Sequence, residues 1–530
     1  MQPKYIFLTG GVCSGLGKGI TAASLGRILK ARGYKVTIQK LEPYLNMDPG
    51  LLSPYQHGEV FVTDDGAEVD LDLGHYERFI DESLSVNNSF SAGKIYWDVL
   101  TKERKGEYKG ATIQVIPHIT DTIKSYIRRA VDNSQSDIII SEIGGTVGDI
   151  ESLPFLEAIR QITYDEGYQN VMCIHVTLVP YLNFAEEMKT KPSQHSVKQL
   201  LSLGIRPDAL VCRTEQPMSN EMRSKLALFC SVDKSCVIEN LNVDSIYEVP
   251  LLFEEERFAE IICKRLALDP TPPDLTEWKN LVEREKQITR EITIGLVGKY
   301  TELRDAYLSV CEALRHAGIA NDVNICIEWI NSQELNDENA ATHLKGLSGI
   351  IMPGGYGSRG VSGLISAVRY AREEKIPFFG IGLGMQCAVI EFARNVMGNA
   401  HANTTEVDPG TAMPIIEHIF PCEEEVKGQR KMRLGSYPCK LTPGTLTHAA
   451  YGTDLIHERF RHMYKVNTLY HGDLAQHGLT IAALSPDGQH IETVELKQHP
   501  WFVGVQFRPE FKSRITRPSP IFMAFVEACI

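Results

Sequence analysis

The chain has 530 residues, 43% hydrophobic and 23% charged, which is too long for one core and fits about two to four domains of an ordinary soluble protein. A formal charge of −13 argues against a general nucleic-acid binder, which needs a basic face, and no apolar run reaches the length of a membrane span. The 12 cysteines are scattered, with no CxxC pair and no Cys/His cluster, and the first residues show no signal-peptide pattern; a reduced, cytoplasmic protein without zinc or disulfides is expected.

Apolar strand-like runs alternate with helical stretches along the chain, the pattern of a doubly wound parallel α/β sheet. Residues 4–9 read as a first buried strand, 10–19 as a glycine-rich loop, and 20–32 as the helix that follows. The loop is Gly10-Gly11-Val12-Cys13-Ser14-Gly15-Leu16-Gly17-Lys18-Gly19. Its backbone N–H groups and the helix N-terminus suit an anion, and Lys18 adds a point charge. A standard P-loop has Gly where Val12 stands and Ser or Thr where Gly19 stands. Without that hydroxyl, Mg²⁺ has to be held by carboxylates elsewhere. The competing reading is a glycine turn that merely packs a helix on a strand.

Residues 64–72 are acidic and lie outside any obvious helix, and 138–140 read as a buried strand ending near Glu142. Carboxylates at strand ends sit where α/β proteins bind ligands, and Mg²⁺ favours one or two carboxylates with phosphate oxygens and water. Asp72 with Glu142 meets that need; a solvated acidic surface is the alternative. Residues 269–290 read as a linker, with a Pro-rich break at 269–274 and a charged, exposed helix at 275–287. A second α/β unit opens with a strand at 292–297, and 350–352 and 378–381 read as further buried strands. This divides the chain into 1–268, a linker at 269–290, and 291–530.

Long ordered blocks in this sequence resemble the CTP synthase family. They are Leu16-Gly17-Lys18-Gly19, Ser53-Pro54-Tyr55-Gln56-His57-Gly58-Glu59, Asp70-Leu71-Asp72-Leu73-Gly74-His75, Gly144-Gly145-Thr146-Val147-Gly148-Asp149 and Lys189-Thr190-Lys191-Pro192-Ser193-Gln194-His195-Ser196. The likeness continues through Pro353-Gly354-Gly355 and Met432-Arg433-Leu434-Gly435. It implies a P-loop-like synthetase domain followed by a class I glutaminase-like domain. ATP phosphorylates the 4-keto oxygen of UTP, and ammonia, normally drawn from glutamine, displaces the phosphate. Carried over by motif, Lys18 and Lys40 meet ATP phosphates, together with Ser14, Gly15, Leu16, Gly17, Gly19 and Asp72. Asp72 and Glu142 bind Mg²⁺. Ser14, Asp149, Ile150, Glu151, Lys189, Gln194 and Lys225 contact UTP or CTP. The resemblance also implies a homotetramer, and Arg359 keeps the motif through which the family answers GTP. Glu42 stands where the family has Asp, Leu51-Leu52 replaces a more polar or Met-containing pair, and Phe184, Ala185 and Glu186 replace smaller residues.

The second half departs from the family at its chemistry. The nucleophile elbow Gly-x-Cys-x-Gly reads Gly380-Ile381-Gly382-Leu383-Gly384, so Gly382 offers no thiolate. Cys387 lies five residues on, inside a helix, and is not expected to substitute. Phe-His-Pro-Glu reads Phe507-Arg508-Pro509-Glu510, and arginine cannot serve as a general base. Phe460 and Met463 replace the family's His and its glutamine-clamping Arg. Gly354, Gln386 and Glu406 remain from the oxyanion and glutamine sites. Three readings follow: CTP formation from free ammonia, the same activation with another amine donor, or a non-catalytic regulatory paralogue. A deviant partitioning or scaffold ATPase explains the loop but not residues 189–196.

Overall fold

Lys4–Gly10 and Val36–Glu42 are buried at every residue, which a strand tolerates only inside a sheet covered on both faces. A computed structural model of the chain describes residues 2–184, 186–420 and 432–530. The described residues pack as two units, one of Met1–Leu51 with Val69–Val282 and one of Leu52–Glu68 with Glu283–Ile530.

The first unit is built on seven parallel strands: β1 (Lys4–Gly10), β2 (Val36–Glu42), β3 (Ser89–Ser91), β4 (Ile138–Ile143), β5 (Val171–Leu178), β6 (Ala209–Thr214) and β7 (Val237–Leu241). Their order across the sheet is β7-β6-β5-β1-β4-β2-β3. The chain winds to one side of β1, returns to β4, then builds the other side, so the C-terminal end of β1 lies at the switch point where such sheets bind ligands. Helix α1 (Lys18–Lys30) starts two residues earlier than the sequence reading places it, because Gly17, at φ 82, supplies a left-handed N-cap. Helix α2 (Asp72–Ile80) corrects the placing of Asp72 outside any helix: it is the first helical residue, where the N-terminal dipole favours a carboxylate.

The helix Thr276–Gln287 is not the fully exposed element expected from its charge. Trp278 and Val282 are buried. The Trp278 indole N–H donates to the Tyr247 carbonyl at 2.7 Å, and Arg27 lies 4.8 Å above its ring. Two apolar side chains four residues apart, Trp278 and Val282, outweigh the charged ones in deciding where the helix sits.

The second unit holds a nine-stranded mixed sheet. Its strands are β8 (Glu291–Gly298), β9 (Asn324–Asn331), β10 (Gly349–Met352), β11 (Phe378–Ile381), β12 (Arg433–Leu441), β13 (Leu455–His462), β14 (Leu479–Leu484), β15 (Ile491–Leu496) and β16 (Phe502–Val505), in the order β9-β8-β10-β11-β16-β15-β14-β12-β13. The β9-β8-β10-β11-β16 part is parallel and the rest antiparallel. Residues 52–68, which the sequence reading includes in 1–268, pack in this unit. Glu59 accepts from the Ser309 backbone N–H at 3.0 Å, Phe61 meets Phe511 edge-on at 4.9 Å, and Arg459 Nε donates to Asp64 at 2.7 Å.

Candidate functional site

The phosphate loop leaves β1 at Gly10 and enters α1 at Lys18. Gly15 and Gly17 take left-handed backbones, and so does Val12 at φ 85, where a P-loop would have glycine. A β-branched residue in that region is held there at a cost in conformational energy. The Gly10 carbonyl accepts from the Val147 N–H at 2.8 Å, and the Gly11 N–H donates to the Val176 carbonyl at 3.1 Å. Lys18 Nζ donates to the Gly145 carbonyl at 2.6 Å. Burial lowers the Lys18 pKa against the pull of Glu142. Gly19 has a specific reason to be glycine: a Cβ there would stand 2.1 Å from Asp72 Oδ1. The carboxylate of Asp72 thus takes up the space that the Ser or Thr of a standard P-loop would need.

Behind the loop, Lys40 on β2 is the register neighbour of Glu142 on β4, which is why residues 102 apart in sequence meet. Its ammonium donates to Glu142 at 2.9 Å and to Asp72, and lies 3.7 Å from Glu42. Tyr76 donates to the other Glu142 oxygen. Burial disfavours the Lys40 charge, yet Asp72, Glu142 and Glu42 together hold its pKa well above the usual value. Burial likewise works against the Asp72 carboxylate, and Lys40 overcomes it and keeps that pKa low. No group of three or more His, Cys, Asp or Glu suited to a metal occurs among the described residues. Asp72 and Glu142 are an all-oxygen pair, which fits Mg²⁺ shared with phosphate and water.

The candidate pyrimidine-nucleotide residues are less tightly gathered. Asp149 accepts from the Thr146 N–H at 2.7 Å, and Gln194 is buried and donates to Thr190 at 3.1 Å. Ser14, Ile150, Glu151 and Lys225 are exposed, and Lys189 pairs with its neighbour Glu187. Phe184 is 89% exposed and Glu186 has a left-handed backbone; Ala185 lies outside the described residues. One buried polar group in this region escaped the sequence reading: His175, whose ring nitrogens lie 2.8 Å from Thr9 Oγ1 and 2.7 Å from Ser196 Oγ. Nothing in local sequence marks it, since it sits in an apolar strand.

In the second unit, Gly382 joins β11 to the helix α3 (Leu383–Asn395) at φ 54 and ψ −104, and its N–H donates to the Val505 carbonyl at 2.7 Å. A Cβ on Gly382 would approach only the Gly354 Cα, at 3.7 Å. The largely buried Arg508 guanidinium lies against Gly354, where a Cβ would meet its Nη1 at 2.8 Å, and its Nε donates to Glu510. Burial works against the Arg508 charge, and Glu510 restores and strengthens it. A cavity of about 10 Å³ remains between Gly354, Gly382, Gln386, Glu406, Met463 and Arg508, room for roughly one water. Gln386 donates to the Tyr464 carbonyl at 3.1 Å, and Glu406 accepts from the Gly357 N–H at 2.6 Å. The Cys387 thiol is buried in α3 and pushed up to about 12, so it is no nucleophile. Arg359 donates to Gln333 at 2.7 Å and lies 5.0 Å from the Tyr300 ring.

A family model described as CTP synthase N-terminus matches residues 4–268, and one described as glutamine amidotransferase class-I matches 302–528. A CTP synthase of Ruminiclostridium cellulolyticum is 58% identical over 529 residues, covering 100% of this chain and 99% of its own length. The chain belongs to the CTP synthase family. A CTP synthase of Clostridium kluyveri is 56% identical over 532 residues, covering 100% of this chain and 99% of its own. Among solved structures, the glutaminase domain of Trypanosoma brucei CTPS with bound acivicin is 36% identical, covers 45% of this chain and 93% of its own, and has a TM-score of 0.43. Gly382, Arg508 and Met463 all line the small cavity of the second unit. No helix among the described residues is long and apolar enough to cross a membrane.

Proposed function

We propose that the chain is a CTP synthase-like ligase that aminates UTP with ammonia its own second unit does not generate. In this reading residues 1–268 are the ligase domain, 269–290 the linker, and 291–530 a glutaminase-like domain without glutaminase activity. The 4-keto oxygen of UTP attacks the ATP γ-phosphorus as uracil N3 gives up its proton, an O–P bond forms, the bond to the β-phosphate oxygen breaks, and ADP leaves. Ammonia then adds at C4, the C4–O bond breaks, phosphate departs, and a proton is lost. Phosphoryl transfer rests on positioning and charge stabilisation. Lys18 and Lys40 supply cationic charge toward the phosphates, and the phosphate loop supplies N–H groups. Asp72 and Glu142 would hold Mg²⁺, which when bound neutralises charge on the phosphate oxygens. The intact cluster of Lys40, Asp72 and Glu142 favours catalysis over a purely regulatory paralogue.

The observation that carries the second half of the proposal is Arg508. It takes the position of the family's base, is charged and paired with Glu510, and lies against the oxyanion glycine Gly354. Beside it Gly382 has no side-chain nucleophile, and the cavity between them measures about 10 Å³. The test is incubation with ATP, Mg²⁺ and UTP plus either glutamine or ammonium, with products read by mass spectrometry. CTP from ammonium, rising with pH as neutral ammonia forms, and no glutamate from glutamine are expected. Sustained glutamate release overturns the proposal. A heavier cytidine nucleotide formed from a larger amine would favour the second reading, for which the exposed Phe184 is the motivating change. A homotetramer and a GTP contact at Arg359 belong to the same proposal, and sizing with and without nucleotides checks the former.

A further inference from the structure

We propose that His175 is a positioning residue that ties the phosphate loop to the helix carrying residues 191–202, and so holds the ATP and pyrimidine-nucleotide sites in one register. The proposal rests on the assignment of those two sites made above. Thr9 and His175 are register partners on β1 and β5, and both are buried. Thr9 Oγ1 lies 2.8 Å from His175 Nδ1, and Ser196 Oγ lies 2.7 Å from His175 Nε2. A neutral imidazole donates from one nitrogen and accepts at the other, and a hydroxyl can serve either, so the three side chains form a continuous buried polar chain.

That chain touches the loop directly. A Cβ on Gly11 would fall 1.5 Å from Ser196 Oγ and 3.1 Å from His175 Nε2, so the Ser196 hydroxyl stands in the space a side chain at 11 would take. Ser196 belongs to the helix Lys191–Ser202, whose first turns hold Gln194 and follow Lys189. On the neighbouring loop residue, the Gly10 carbonyl accepts from Val147, two residues before Asp149. Both blocks assigned to the pyrimidine nucleotide therefore brace on adjacent residues of the ATP loop. Removing the Ser196 hydroxyl leaves a ring nitrogen of His175 unpaired in a buried layer and frees Gly11 to shift.

The experiment measures binding of a non-hydrolysable MgATP analogue and of UTP, each by calorimetry, to the full chain and to Ser196→Ala, Thr9→Val and His175→Gln, with thermal melting in parallel. Ser196→Ala is expected to weaken both nucleotides by about tenfold, the loss of one buried hydrogen bond, with a modest fall in the melting midpoint from the unpaired ring nitrogen. His175→Gln, whose amide still reaches toward Ser196, is expected to recover part of both affinities. Unchanged affinities, weakening of one nucleotide alone, or a fall in stability alone would each overturn the positioning role. So would failure of both hydroxyl variants to fold, since the chain would then carry the fold itself. Because binding is read and not turnover, a parent protein that binds both nucleotides but forms no CTP sinks the reaction and leaves this test standing. A parent that binds neither sinks the site assignment and this proposal together.

Discussion

Both units place a left-handed glycine at the turn from a buried parallel strand to a helix, Gly17 at φ 82 before Lys18 and Gly382 at φ 54 before Leu383. The two turns have opposite electrostatic surroundings. Beside the first, one lysine is shared by Asp72, Glu142 and Glu42, leaving an excess of carboxylate charge. Beside the second, Arg508 and Glu510 neutralise each other within two residues, and little space is left. The comparison teaches that the elbow is a property of backbone and packing. Its chemistry lies in a few side chains, which the turn itself does not require.

The largest test of this contrast removes the internal pair. Arg508→Ala leaves Glu510 buried without its cation and is expected to destabilise the protein by about 3–5 kcal/mol, read by chemical denaturation. A loss under about 1 kcal/mol would mean that Glu510 is held by other groups and that the site is not self-neutralised. Next comes the active side. Lys18→Ala is expected to lower UTP-dependent ATP hydrolysis by about 100-fold or more with the fold intact, because a preorganised charge toward the phosphates is gone. Asp72→Asn and Glu142→Gln should act in the same direction. Unaltered hydrolysis in all three would show that the centre is misplaced.

Burial sharpens the same contrast through pH. Burial would raise the pKa of Asp72, and Lys40 keeps it low, whereas Glu458 in the second unit is pushed by burial from 4.5 to about 7 with Lys512 opposing too weakly. The fold therefore favours the neutral form of Glu458. The stability this contributes is full below pH 4.5 and is lost as pH rises to about 7, on the order of 3 kcal/mol at most. Denaturation of the parent and of Glu458→Gln at several pH values checks it: the variant should lose that part of the slope. The smallest effect is at the elbow itself. Gly382→Cys has room for its Cβ, so its cost is that of a rare backbone conformation at φ 54 and ψ −104, about 1–3 kcal/mol. Glutamate release from glutamine should stay at background, since Arg508 still stands at the base position. Measurable release from that single variant would show that the remaining residues are more competent than their charges suggest.

Much of this was legible in the sequence because it depends on what a residue is. Glycine has no side-chain nucleophile and arginine stays protonated wherever they lie, so the proposal about Gly382 and Arg508 could be framed before any fold was known. Strand-forming apolar runs and the glycine-rich loop likewise announced a parallel α/β sheet. What depended on contact between distant residues was decided by tertiary structure. Sheet order put Lys40 beside Glu142, the turn into α1 brought Asp72 over Gly19, and register set Thr9 against His175. Packing seated residues 52–68 among Phe511, Ser309 and Arg459, and buried Trp278 in a helix that reads as exposed. A residue's own chemistry is local, but its partner, burial and charge state follow from which strands become neighbours, and that is set by the cooperative packing of the whole unit.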